Sequence, residues 1–144
     1  MAISLKGRNF FALEDFTPEE IRYLLDLAIR LKKESREHIK HQDYIGEDFL
    51  LLFEMNSTRT RCAFETSAND LGMGTTFLSN SHFGNTETIK DSMRVFSEMY
   101  SAIGYRGAKH STLLEMAKDS AVPIINGYTD HQHPTQMLAD AMTL

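Results

Sequence analysis

The chain has 144 residues, of which 42% are hydrophobic, and this length favours one domain with a single core over two independent domains. The formal net charge of -5 and the scattered lysines and arginines argue against a nucleic-acid or anionic-membrane partner, since neither is attracted to an acidic surface. Cys62 is the only cysteine, which excludes an internal disulfide and a thiolate metal site within one chain. Without a signal peptide or a membrane-spanning apolar run, we expect a soluble, cytoplasmic protein.

The first predicted helix begins at Thr17 and runs to about Glu34. Thr17 is the expected N-cap, Pro18 suits the first helical position, and Glu20 completes a capping box. The apolar residues that follow recur at helical spacing and predict one buried face: Ile21, Leu24, Leu25, Ala28 and Leu31.

Downstream, short apolar strands alternate with helices. A strand is predicted at 49–53, followed by a helix that ends near Gly72. The remaining predicted elements are strands at 75–78, 102–105 and 122–125, and helices at 87–100, at 111–119 and from Pro134 onward. This alternation indicates an α/β fold, a three-layer sandwich with a central parallel sheet of about four strands flanked by helices.

Polar segments follow three of these strands, at the sheet edge where α/β proteins bind ligands. The segment 57–61 leads directly into a helix, whose N-terminal N–H groups and dipole favour an anion. The Arg59 guanidinium can donate two parallel charge-assisted hydrogen bonds, and Ser57, Thr58 and Thr60 can add hydroxyl donors. Together these donors suit a phosphate ester. In the alternative interpretation, Ser57 or Thr58 merely caps the helix, and the arginines are solvated or paired with Glu54 and Glu65.

The other two polar segments supply candidate partners for the same ligand. Arg106 follows the third strand, although taken alone it could be an ordinary surface arginine. After the fourth strand, Pro134 can start the last helix. This places His133 at the helix N-terminus and Gln136 about one turn further on, facing the same space. A metal site at Asp130, His131 and His133 is the less favoured alternative, because no second ligand cluster has a recognisable spacing.

The segments 57–61, 105–107 and 133–136, in this order, resemble the signature of the aspartate/ornithine carbamoyltransferase family. The segments 8–10, 15–21 and 53–65 resemble its ornithine branch more than its aspartate branch, and the match covers nearly the whole chain. The resemblance implies that residues 1–144 form the carbamoyl phosphate-binding domain. It also implies that the amine-binding domain is absent, and that the chain ends inside the helix that would join the two domains.

The resemblance further implies a role for each residue. Four residues would hold the phosphate of carbamoyl phosphate, Arg106 and His133 would polarise the carbamoyl carbonyl as catalytic residues, and Gln136 would accept from the carbamoyl amino group. The four phosphate-holding residues are Ser57, Thr58, Arg59 and Thr60. No cofactor or metal is implied, and Cys62, which has no catalytic role in this scheme, is expected to be a small buried residue.

A loop at 81–87 would reach the phosphate site of a neighbouring subunit in a trimer-based homo-oligomer. There His82 stands where the family commonly has glutamine, and Thr86 where it commonly has lysine, so the loop loses a fixed cation.

The implied reaction is carbamoyl transfer to ornithine, bound through the second domain, to give citrulline and phosphate in arginine metabolism. The alternatives are another amine such as putrescine, or a non-catalytic module that binds a phosphometabolite or another subunit.

Overall fold

The protein is described here by a computed structural model that covers residues 2–144, so Met1, the first residue of the predicted domain, lies outside it. Within this range four parallel strands form one sheet in the order β2-β1-β3-β4. The strands are β1 (Asp48–Phe53), β2 (Gly74–Leu78), β3 (Ala102–Arg106) and β4 (Ile124–Tyr128). The helices are α1 (Pro18–Arg36), α2 (Arg59–Asp70), α3 (Ile89–Met99), α4 (His110–Asp119) and α5 (Pro134–Ala141).

The predicted start of α1 is confirmed in detail. The Thr17 hydroxyl accepts a hydrogen bond from the Glu20 N–H at 3.2 Å, and the Glu20 carboxylate accepts from the Thr17 N–H at 2.9 Å. Pro18 occupies the first helical position, where its missing N–H has no consequence.

The core consists of two apolar clusters, one on each face of the sheet, which makes the three predicted layers. Leu50 and Leu52 of β1 pack with Met93 of α3 and with Leu113 and Met116 of α4. The alternate residues of the same strand pack on the opposite face with Phe64 and Ala68 of α2: Phe49, Leu51 and Phe53. A strand covered on both faces must be apolar at every position, which explains the continuous run that predicted it.

The largest difference from the predicted elements concerns β4, which was predicted at 122–125 and lies at 124–128. Its apolar run begins too early to mark the strand, because Pro123 cannot donate a hydrogen bond to a sheet ladder. The strand then continues through Asn126, a polar residue whose side chain is fully buried and hydrogen-bonded. Its pairing with β3 reaches Arg106 opposite Tyr128, across an irregularity after Tyr105.

None of the helices within residues 2–144 is both long and apolar enough to cross a lipid bilayer.

Candidate functional site

A cleft of about 840 Å³ opens beyond the carboxyl ends of β1, β3 and β4, where α2 and α5 begin. All seven residues predicted to meet at this edge of the sheet line it: Ser57, Thr58, Arg59, Thr60, Arg106, His133 and Gln136. Segments far apart in sequence therefore face one space, as expected where parallel strands end together.

The N-terminus of α2 forms one wall of the cleft. Thr58 is the N-cap residue, but its hydroxyl makes no capping hydrogen bond to the helix and has no other partner within residues 2–144. The first N–H groups of the helix also lack intrahelical acceptors. Among residues 2–144, Arg59 forms no ion pair. The alternative interpretation is therefore wrong for a capping role of the Thr58 side chain, whereas an exposed Arg59 without an ion pair among residues 2–144 is compatible with both interpretations.

Arg61, two residues further along α2, is by contrast engaged within the fold. Its Nε donates to Glu65 Oε1 at 3.2 Å, and its guanidinium carbon lies 3.6 Å from the centroid of the Phe77 ring. Arg61 does not line the cleft. For this arginine the pairing with an acidic neighbour is the observed arrangement.

Arg106 leaves the end of β3 and is held inside the cleft by neutral groups. Its Nη1 donates to the Thr60 hydroxyl at 3.3 Å and to the Gly127 carbonyl at 3.2 Å. Its Nε is buried and has no hydrogen-bond partner among residues 2–144. Burial lowers the pKa of the Arg106 guanidinium below its usual value, an effect that Tyr128 opposes. A guanidinium nonetheless stays protonated in proteins, so an uncompensated cation faces the cleft.

Glu54, a possible arginine partner from the sequence, instead accepts a hydrogen bond from the buried hydroxyl of Tyr105. Burial, with a further contribution from Glu54, raises the pKa of this hydroxyl, which therefore remains a neutral donor. Among residues 2–144, Glu54 forms no ion pair with Arg59 or Arg106.

Tyr128 is a cleft residue that the sequence did not reveal. Its ring centroid lies 4.8 Å from the Arg106 guanidinium carbon and 5.7 Å from the His133 ring centroid. The ring therefore contacts both groups that are predicted to act on one carbonyl. No sequence signal marks it, because an aromatic residue near the end of a strand is an ordinary core residue.

The α5 wall of the cleft has the predicted arrangement, with His133 as the N-cap residue and Pro134 at the first helical position. The Thr135 hydroxyl lies 3.3 Å from His133 Nδ1. Gln136 donates to Asp140 at 2.9 Å, and its amide oxygen accepts no hydrogen bond from residues 2–144. A free acceptor at Gln136 suits the predicted contact with an amino group.

His133 is expected to be neutral at pH 7. Burial, and then the nearby charge of Arg106, lower its pKa from the ordinary value of 6.5, while Asp140 acts in the opposite direction. A neutral imidazole can donate one hydrogen bond to a carbonyl oxygen without carrying a charge.

This lowered pKa predicts a pH dependence of stability. Below pH 6.5 the unfolded chain binds a proton on His133 more readily than the folded chain, so the free energy of unfolding falls. Above pH 6.5 the residue contributes no such loss. His110, whose pKa burial also lowers, adds to the decrease. Urea unfolding at pH 7.5 and 5.5 should therefore show a smaller decrease for His133→Gln than for the unchanged protein. Equal decreases would contradict a buried, neutral His133.

His82 and His131, which were predicted as a contact to a neighbouring subunit and as a possible metal ligand, lie outside the cleft. His82 is exposed in the loop after β2, with its Nδ1 2.6 Å from the Thr86 hydroxyl, and it does not line the cleft of its own chain. His131 is exposed and lies 2.8 Å from Glu14. Within residues 2–144, no three histidine, cysteine or acidic side chains are arranged to hold a metal ion.

Cys62 is exposed, so its expected burial was wrong. Phe64 and Ala68 form the face of α2 that packs on the sheet. Cys62 precedes Phe64 by two residues, which is roughly 200° around a helix, and therefore lies on the opposite face.

Comparison with known proteins agrees with this geometry. The sequence model described as "Aspartate/ornithine carbamoyltransferase, carbamoyl-P binding domain" matches residues 8–144. A catabolic ornithine carbamoyltransferase of Clostridium perfringens is 52% identical over the whole chain, which covers 44% of that relative. The chain thus spans less than half the length of this relative.

Solved structures show the same likeness. The ornithine carbamoyltransferase from Pyrococcus furiosus superposes with a TM-score of 0.95 at 37% identity, over 99% of this chain and 46% of that one. An aspartate transcarbamoylase from Trypanosoma cruzi, in complex with carbamoyl aspartate and phosphate, has a TM-score of 0.88 at 25% identity, over 96% and 44% of the two chains. With a family match over nearly its whole length, a shared fold and a cleft built from the signature segments, the chain belongs to the aspartate/ornithine carbamoyltransferase family and corresponds to its carbamoyl phosphate-binding domain.

Proposed function

We propose that residues 1–144 form a carbamoyl phosphate-binding domain, with the phosphate at the N-terminus of α2 and the carbamoyl group between Arg106, His133 and Gln136. The observation that carries this proposal is the convergence of Arg59 and Arg106, neither in an ion pair among the described residues, on one cleft at a helix N-terminus. A dianion placed there would offset two positive charges and accept hydrogen bonds from the first N–H groups of α2.

In the whole protein, we propose, this site supports carbamoyl transfer to ornithine. The amine nitrogen forms a bond to the carbamoyl carbon, and the bond from that carbon to the phosphate oxygen breaks with its electron pair leaving on phosphate. The attacking nitrogen gives up a proton, for which the departing phosphate is the acceptor. Negative charge grows on the carbonyl oxygen before it passes to the leaving group. Arg106 and His133 donate hydrogen bonds where this charge develops, and Arg59 stabilises the departing phosphate.

Binding and turnover test the two parts of this proposal separately. Titration calorimetry with carbamoyl phosphate should show binding to the chain alone, and acetyl phosphate serves as a control lacking the amino group. We expect no citrulline from the chain with ornithine, because the acceptor site is proposed to lie in sequence that this chain does not cover. Citrulline formation by the chain alone would contradict that placement.

A chimera distinguishes an enzyme domain from a binding module. The chain is joined to the part of the Clostridium perfringens relative that lies beyond the matched region. Citrulline formation by the chimera, lost on Arg106→Met, supports carbamoyl transfer. A folded chimera that binds carbamoyl phosphate but turns over neither ornithine nor putrescine supports the non-catalytic module.

We also propose a trimer-based homo-oligomer in which His82 enters the site of a neighbouring subunit. The support is its exposed position outside the cleft of its own chain, together with the family resemblance. Light scattering should give three times the mass of one chain, and His82→Ala should weaken carbamoyl phosphate binding by a few-fold. A strictly monomeric chain would remove His82 from the site.

A further inference from the structure

One polar side chain of the core lies directly beneath the cleft. Asn126 of β4 is fully buried, and its amide nitrogen donates to the carbonyl oxygens of Phe11 at 2.9 Å and Gln132 at 3.1 Å. The same nitrogen lies 3.3 Å from the Thr129 hydroxyl. Its amide oxygen accepts from the Tyr128 N–H at 2.9 Å. A buried amide satisfied on both atoms is a strong, directional restraint.

These bonds connect the two ends of one loop to a second part of the chain. This loop is defined as residues 127–132, which include the last two residues of β4 and run to His133. The second part is the segment 10–13, which lies beside β4 through a hydrogen bond from the Asn126 N–H to the Phe10 carbonyl at 2.8 Å. Gln132 adds another link, because its side-chain oxygen accepts from the Leu13 N–H at 3.0 Å. The loop is therefore held against the segment 10–13 by two amide side chains.

The groups that this loop carries are those that shape the cleft. The Gly127 carbonyl accepts a hydrogen bond from Arg106, the Tyr128 ring lies against Arg106 and His133, and His133 follows the loop directly. A shift of the loop would displace both proposed carbonyl-polarising groups, Arg106 and His133, at the same time. Displacements of about 1 Å can cost a hundredfold in function.

We infer that Asn126, assisted by Gln132, is a positioning residue that holds Arg106 and His133 in the geometry for binding and polarising the carbamoyl group. This inference rests on the proposed function for its ligand. Neither residue lines the cleft or would touch the ligand. The alternative is that both amides only stabilise the fold.

Two variants and one matched control separate positioning from stability. Asn126→Ala removes the central restraint, and Gln132→Ala removes only the link to Leu13. Ser120→Ala is the control, because Ser120 precedes the opposite end of β4 and forms two local hydrogen bonds with Val122, at 2.8 and 3.3 Å. We expect about a tenfold or greater loss of carbamoyl phosphate affinity for Asn126→Ala, about threefold for Gln132→Ala, and less than twofold for Ser120→Ala.

A ligand-free measurement makes the inference independent of the proposed function. The pKa of the His133 imidazole, followed by NMR titration, should rise toward 6.5 in Asn126→Ala and Gln132→Ala, because the loosened loop admits water and separates His133 from Arg106. It should stay unchanged in Ser120→Ala. If the unchanged protein fails to bind carbamoyl phosphate, the proposed function fails, and this titration alone decides whether the amides position His133.

Two outcomes would overturn the inference. One is an unchanged His133 pKa in the folded amide variants; the other is an equal change in Ser120→Ala. If Asn126→Ala does not fold, the His133 pKa in Gln132→Ala tests the inference by itself, because Gln132 is partly exposed and its replacement is less disruptive.

Discussion

Arg59→Ala is expected to weaken carbamoyl phosphate binding by about 10- to 100-fold, whereas Arg61→Ala should change it by less than about threefold. Charge-assisted hydrogen bonds contribute about 1.5–3 kcal/mol each, and roughly 1.4 kcal/mol corresponds to a tenfold change in affinity. Arg59 lines the cleft and forms no ion pair within residues 2–144, while Arg61 is outside the cleft and contacts Glu65 and Phe77.

The two arginines form a matched pair, two residues apart on the same helix and with the same charge. Titration calorimetry of both variants at one salt concentration therefore separates a local contact from a general loss of positive charge. In thermal unfolding, Arg61→Ala should lower the melting temperature more than Arg59→Ala, because only Arg61→Ala removes packing on the Phe77 ring. Equal affinities for Arg59→Ala and the unchanged protein would exclude the proposed phosphate site.

Arg106→Met should weaken carbamoyl phosphate binding without lowering the stability of the fold. We expect carbamoyl phosphate affinity to fall by about 100-fold or more, since the variant loses a desolvated cation at the centre of the cleft. We expect the free energy of unfolding to stay the same or to rise by about 1 kcal/mol. Within residues 2–144, Arg106 is partly buried, has no carboxylate partner and leaves its Nε unpaired. An apolar side chain removes this desolvation cost, which offsets the loss of the two hydrogen bonds to Thr60 and Gly127.

The control for this change is Arg94→Met. Arg94 lies on α3 outside the cleft, and its ion pair with Asp119, 3.7 Å apart, is largely exposed. Exposed ion pairs contribute little, so both affinity and stability should change only slightly. Calorimetry and urea unfolding measure the two quantities for each variant. A marked loss of stability in Arg106→Met without a loss of affinity would mean that Arg106 serves the fold rather than the ligand.

The order and type of the elements could be predicted from local patterns. The capping box at Thr17 and Glu20 is a signal carried by adjacent residues, and the apolar run at 49–53 reports a strand covered on both faces. The end of β4 could not be predicted in this way. The Asn126 side chain donates to the Phe11 carbonyl, and the Tyr128 carbonyl accepts from the Gly107 N–H, so both residues find partners in distant segments that no local pattern records.

From local patterns alone it follows that three polar segments come directly after strands of a parallel sheet, and hence that they meet at one edge beside a helix N-terminus. That inference needs only the periodicity of side chains and the geometry of parallel strands. Only the folded chain shows that Arg59 forms no ion pair within residues 2–144 while Arg61 pairs with Glu65, that the Tyr128 ring contacts Arg106 and His133, and that Cys62 is exposed. Each of these depends on which side chain of a distant element lies within a few ångströms, and contact free energies fall off over that distance.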